Sequence, residues 1–252
     1  LEPDPAELND LHGETRRLAR LVEDLRTLSL ADAGQLPIIR QPVDPAENHL
    51  IREERPLSMT FEECSRLLPV YLESDLADPD ILSFLREVID WARTARRRER
   101  YYQQDPWSCI VNTEVNSGNF IANREKGTLH LVDWEMPRWG DPSQDLCHFC
   151  SPLTTLWKTD WQMTPVLKRD FLKTYCRHIR DRHLRDTLFE RVRLRDPFVY
   201  LRGISWSAMG WVAYQTEFSG MKNPDTWFKL KQYMNLKFIR SLFDPFIQNK
   251  SF

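Results

Sequence analysis

The chain has 252 residues and a mass of 30.0 kDa, room for one large domain or two small ones with a substantial core. Its 35 Lys and Arg against 37 Asp and Glu leave a formal charge of -2, so no global field selects a nucleic acid or a membrane as partner, and local charge must decide. No run of about eighteen apolar residues occurs, which excludes a spanning helix, and five irregularly spaced cysteines with no signal peptide ahead of them point to reduced thiols in a cytoplasmic protein.

With only 8 Gly against 16 Pro and 9 Trp, the chain reads as mainly helical. It opens on Leu1 rather than Met, which implies an upstream piece. Leu11, Leu18 and Leu25 fall seven apart, with Leu21 and Leu28 three residues after the last two, and charged residues lie between them. That stripe predicts one long amphipathic helix over 8–33, ended at Ala33-Gly34. It serves either as a packing face or as the seam of a homodimer. In wording, residues 5–45 resemble the second helix of the dimerisation domain of bacterial sensor histidine kinases and the start of the following linker. His12 is not set in that family's phosphoacceptor motif and reads as an exposed helical residue.

Pro42, Pro45 and Pro56 punctuate a connector, which divides the chain into units 1–46 and 47–252. In the second unit Thr60 has the spacing of a capping residue with Glu63, and Phe61, Leu67 and Leu68 carry a helix toward a kink at Pro69. Asp78-Pro79 opens another, with Ile81, Leu82, Leu85, Val88, Ile89 and Ala92 on one face, and the arginine run 96–100 reads as its solvated end.

Character changes at Cys109-Ile110-Val111, a β-branched run that gives way to a polar loop over 112–119. Phe120–Ala122 and Leu129–Val132 read as two short strands around an Asn-first, Gly-last turn. A hairpin of that length brings Asn119 and Asp133 to one end, close to Glu114, with Glu135 a further acid beside them. Hard oxygen ligands gathered there suit Mg²⁺, and an acid a few residues upstream suits removal of a proton from a hydroxyl. The same residues also fit a plain reading as loop formers and a strand-end turn. Next, Asp141 is set as the N-cap of a helix with Pro142 at its first position, and Asp145 sits one turn in, among Leu146, Cys147 and Phe149, where it needs a partner from the neighbouring loop.

The run from Asn112 to Leu146 resembles the catalytic segment of the aminoglycoside phosphotransferase and choline kinase family, which shares the protein-kinase-like fold. That family reads His-x-Asp-x-x-x-x-Asn, a hydrophobic strand, Asp-Trp/Phe-Glu and Gly-Asp-Pro-x-x-Asp-Leu, and four elements occur here in that order and spacing. The resemblance implies a helical kinase lobe over 47–252 with a small β-hairpin, ATP and Mg²⁺ as cofactors, and a small-molecule hydroxyl as acceptor. It also implies Glu114 as catalytic base, Asn119 and Asp133 as metal ligands, and Asn112, Asp141 and Asp145 as support. Two departures stand out: Asn112 replaces a bracing His, and Glu114 replaces Asp. No glycine-rich nucleotide loop or strand-borne Lys precedes this segment, so the small β lobe of such kinases is absent from the chain. A truncated or inactive phosphotransferase and a non-catalytic dimerising protein both remain readings of that absence.

Other patterns carry less. Cys147-His148-Phe149-Cys150 lacks a second pair at zinc spacing and reads as core thiols. Gly203-Ile204-Ser205-Trp206-Ser207 lacks the second glycine of a nucleophile elbow. Trp206, Trp211, Tyr214, Trp227, Phe228 and Tyr233 fit either core packing or a cage for a quaternary amine.

Overall fold

The structure is a computed structural model that describes residues 50–216 and 222–248. The chain divides into compact units 1–49 and 50–252. The helix expected over 8–33, with His12 and the dimer seam, lies outside the described residues. What is described is mainly helical with two small sheets. No helix among the described residues is long and apolar enough to cross a membrane.

After the short strand β1 (Ile51–Arg52) come α1 (Pro56–Leu67) and α2 (Pro69–Leu72). Proline at N1 starts α1 four residues ahead of Thr60, so Thr60 is no cap: its hydroxyl donates to Pro56 O at 2.9 Å within the helix. Glu63 instead accepts from Arg202 Nε at 3.0 Å and from Trp206 Nε1 at 3.1 Å. The break at Pro69 is as expected, since its ring cannot continue the ladder of α1. In α3 (Pro79–Ala95) the Asp78 carboxylate accepts from the N–H groups of Asp80 and Ile81. Beyond α3 the arginine run does not end in solvent. It continues as a 3-10 turn (Arg96–Glu99) and α4 (Arg100–Gln104) because Arg96 lies over the Phe61 ring and Glu99 accepts from Ser58 N–H and Oγ.

The strand β2 (Cys109–Val111) pairs antiparallel with β5 (Arg138–Gly140), which pairs parallel with β1, giving the order β1-β5-β2. Between them, β3 (Phe120–Asn123) and β4 (Thr128–Leu131) form the separate hairpin, with Phe120 opposite Leu131 and Asn123 opposite Thr128. Gly127 closes its turn at φ +63°, a conformation that favours glycine.

There follow α5 (Ser143–Cys150), α6 (Pro152–Lys158), α7 (Pro165–His178), α8 (Arg182–Gln215), α9 (Pro224–Tyr233) and α10 (Leu236–Ile247). The 34-residue α8 is the axis of the unit, and it has Pro197 in its interior. On one side Leu194, Phe198, Leu201 and Ile204 pack with Leu57, Leu85, Val88 and Phe243; on another, Leu188, Val192 and Val199 pack with Leu146, Cys147 and Leu172. Its middle is buried nearly all round. At Gly203 a Cβ would lie 2.7 Å from Leu153 Cδ1, so any larger residue there would have to displace the Leu153 side chain where α6 meets α8.

Candidate functional site

The loop after β2 is held by α5. Asp145 accepts from Asn112 N–H at 2.7 Å through Oδ2 and from Thr113 N–H at 2.8 Å through Oδ1, so the acid that looked misplaced in an apolar helix bonds two successive loop amides. Burial pushes its carboxyl pKa upward; the two amide bonds and Arg195 oppose that shift. One turn later His148 is directed at the same loop, its Nδ1 3.3 Å from Val115 O. Burial drives the His148 pKa down to about 4, so near neutrality the ring is uncharged and Nδ1–H donates to the carbonyl.

The side chain of Asn112, buried, performs the bracing on the other side. Its Nδ2 donates to Asp133 O at 2.8 Å and its Oδ1 accepts from Glu114 N–H at 3.0 Å. One amide thus ties the loop to the end of β4. Asn119 closes the group: its Nδ2 donates to Glu114 O at 3.0 Å, and its carbonyl accepts from Val132 N–H at 2.9 Å. With the amide nitrogen committed to the loop, Oδ1 is the atom of Asn119 left for a cation. Glu114 and Asn119 are half-buried, whereas Asp133 and Glu135 are exposed.

Two non-glycine residues adopt left-handed backbone here, Thr113 at φ 71° and Asp133 at φ 63°, and no other such residue occurs among those described. For β-branched Thr113 this conformation is costly. The grip of Asp145 on its N–H, and its hydroxyl bond to Met136 O at 3.1 Å, hold it there. Strain maintained by surrounding bonds is a mark of functional segments.

Beneath lies a buried charge network absent from the sequence reading. Asp141 caps α5 by accepting from Ser143 N–H at 2.9 Å, and its other oxygen meets Arg191 Nη1 at 2.5 Å. Although the helix proper starts at Ser143, Pro142 already has helical dihedrals, so Asp141 fills the capping role expected of it. Arg191, fully buried, also donates to Asp105 Oδ2 and to Asp105 O, both at 2.6 Å. One turn on, Arg195 reaches Glu53 Oε1 at 2.6 Å and the Gln144 side chain. The available signal was two arginines four apart inside the apolar run of Val192, Leu194, Phe198 and Val199, since buried guanidinium groups require acidic partners.

Cys147 and Cys150 are buried free thiols, and burial raises the Cys150 pKa to about 12, so the expectation of core thiols holds. No group of three or more His, Cys, Asp or Glu able to hold a metal occurs among the described residues. A cation at the hairpin end would therefore rest on one carboxylate, one amide oxygen and its substrate. The aromatics of the proposed amine cage are dispersed. Tyr233 is buried and stacks on Phe238, Trp206 bonds Glu63, Phe228 points outward, and Trp227 has Tyr214 stacked on it and Trp211 tilted against it. A separate cleft of about 370 Å³ lies at the far end of α6, lined by Trp157, Asp160, Asp225, Phe228 and Lys229. The opposite part of α6 packs on the 3-10 turn Ser117–Asn119.

No known protein family matches the chain. Neither a curated protein nor a solved structure matches it.

Proposed function

We propose that residues 50–252 are the helical lobe of an ATP- and Mg²⁺-dependent phosphotransferase acting on a hydroxyl of a small molecule. The supporting observation is the joining of Glu114, Asn119 and Asp133 by the hydrogen bonds of Asn112, Asn119 and Asp145, at a point where two residues are held in left-handed backbone. Glu114 is the base: its carboxylate takes the proton of the acceptor hydroxyl as that oxygen attacks the γ-phosphorus, and the bond to ADP breaks. Asn119 Oδ1 and Asp133 are the ligands for Mg²⁺, whose chemistry is to draw charge from the phosphate oxygens. One carboxylate plus substrate phosphates is an ordinary Mg²⁺ set, so the scarcity of acids agrees with a metal that arrives with its nucleotide. Asn112, Asp141 and Asp145 keep the loop in place.

Thermal shift with Mg²⁺ and ATP on the intact chain tests this. The melting temperature should rise, Asp133→Ala should abolish the rise, and Glu114→Gln should keep it while removing ADP release over a panel of amino-sugars, choline-like amines and nucleosides. Absence of any rise in the unsubstituted chain would end this reading in favour of a non-catalytic interaction lobe.

A further inference from the structure

The helix α7 buries only one side. Leu172 is buried, and Phe171, Tyr175 and Cys176 pack with it in the cluster under α8. Lys168 also turns inward, to an ion pair with Asp196. The opposite face carries Val166, Arg169, Lys173 and Arg177, spaced by three, four and four, all exposed, and Arg180 extends it in the turn to α8. Among the described residues none of these four cations has an ion-pair partner. Two nearby acids are engaged elsewhere: Asp181 accepts from Leu184 N–H as the cap of α8, and Asp186 faces Arg182 at 3.7 Å. Asp170, the one acid within α7, is exposed three residues before Lys173 and offsets part of the row, leaving four cations against one acid. Arginine and lysine at i and i+4 repel along a helix, so such a row is unfavourable to the helix that carries it.

At its N-terminal end the surface of α7 is apolar. Val166 is 62% exposed and Leu167 46%, and Trp161, in the segment that leads into α7, is 50% exposed. We infer that the outer face of α7 lies on an anionic lipid surface, with Arg169, Lys173, Arg177 and Arg180 at the headgroup phosphates and Trp161, Val166 and Leu167 at the edge of the acyl region. A nucleic-acid backbone would satisfy the cations and leave the three apolar side chains in water. A bilayer interface accommodates both, as in helices that lie in the membrane plane. The fourteen residues of α7 span roughly 21 Å, a footprint of several lipids. The overall charge of -2 conceals this local surplus.

Co-sedimentation of the intact chain with vesicles tests it. Binding is expected to phosphatidylcholine vesicles containing one-quarter phosphatidylglycerol, and not to phosphatidylcholine alone. Raising the salt from 50 mM to 500 mM should release the protein, because the attraction is screened. Combined Lys173→Glu, Arg177→Glu and Arg180→Glu should weaken binding on the order of a hundred-fold. Val166→Ser with Leu167→Ser should weaken it about ten-fold at low salt. Reversal at Arg97, outside this face, should leave it unchanged. Unaltered circular dichroism in each variant separates lost binding from lost folding. Equal binding to neutral vesicles, or an apolar double variant that binds like the parent, overturns the proposal. Binding to single-stranded RNA without binding to the anionic vesicles overturns it as well, in favour of a nucleic-acid partner.

Discussion

The loop around Asn112 to Asn119 and the core between α1, α3, α8 and α10 are built on opposite principles. In the core, Leu57, Leu85, Val88, Ile204 and Phe243 have no exposed surface, and non-directional burial suffices to hold them. Around the loop, directed hydrogen bonds and ion pairs hold the backbone, and two residues sit in unfavourable backbone. A core tolerates volume-conserving exchange; a polar network of this kind does not, because each lost partner leaves a buried group unsatisfied. The loop is therefore the part of the molecule that isosteric substitutions should discriminate most sharply.

Arg191→Met is expected to have the largest effect. It keeps most of the volume but leaves the buried Asp141 carboxylate without its counter-charge and removes the guanidinium from Asp105, at a cost of about 3–5 kcal/mol by urea unfolding. A volume-conserving exchange in the apolar core, such as Leu85→Met, should cost less than about 1.5 kcal/mol. If the two substitutions cost the same, the contrast between the regions fails.

Protonation of His148 comes next. Its folded pKa is depressed from the ordinary 6.5 to about 4, so the fold favours the neutral ring. The corresponding stability is complete above pH 6.5 and disappears as the pH falls through about 4. That contribution is about 3 kcal/mol. His148→Gln can still donate to Val115 O, and should flatten this part of the stability profile between pH 7 and 4. An unchanged profile would mean that His148 is not the titrating group.

Asp145→Asn should cost about 1–3 kcal/mol, because an amide keeps one acceptor and presents N–H to a second N–H. Amide exchange at Asn112 and Thr113 should quicken well before global unfolding. The smallest effect is expected at Asp133. Asp133→Gly relieves the left-handed backbone and should change stability by less than about 1 kcal/mol, yet remove any Mg²⁺-nucleotide response. Asp133→Ala should lose the same response and be less stable than the glycine variant by about 1 kcal/mol.

Much of the local structure was legible in the sequence. The caps at Asp78 and Asp141, the break at Pro69, the strands flanking the Asn123 to Gly127 turn and the pairing of Asn119 with Val132 at the hairpin end all follow from short-range rules of turn and cap chemistry. The need of Asp145 for a loop partner was legible too, since a carboxylate in an apolar helix must be bonded. Thr60 misled because two cap signals compete within one turn and proline at the first position prevailed.

What only the tertiary structure decided concerns α8 and its charges. A helix whose middle is buried nearly all round shows no amphipathic period, so its 34 residues carried no readable stripe. The acidic partners of Arg191 and Arg195 lie 50 to 142 residues away, a separation over which no spacing rule operates. His148 was visible only as a member of a thiol-rich run until α5 was set against the loop. The sequence by itself determined which residues meet across a few positions, because backbone geometry alone enforces those meetings. Which distant charges meet, and which face of α7 is left outward, was decided by how the helices share α8, because burial is a property of the packed unit and not of any one segment.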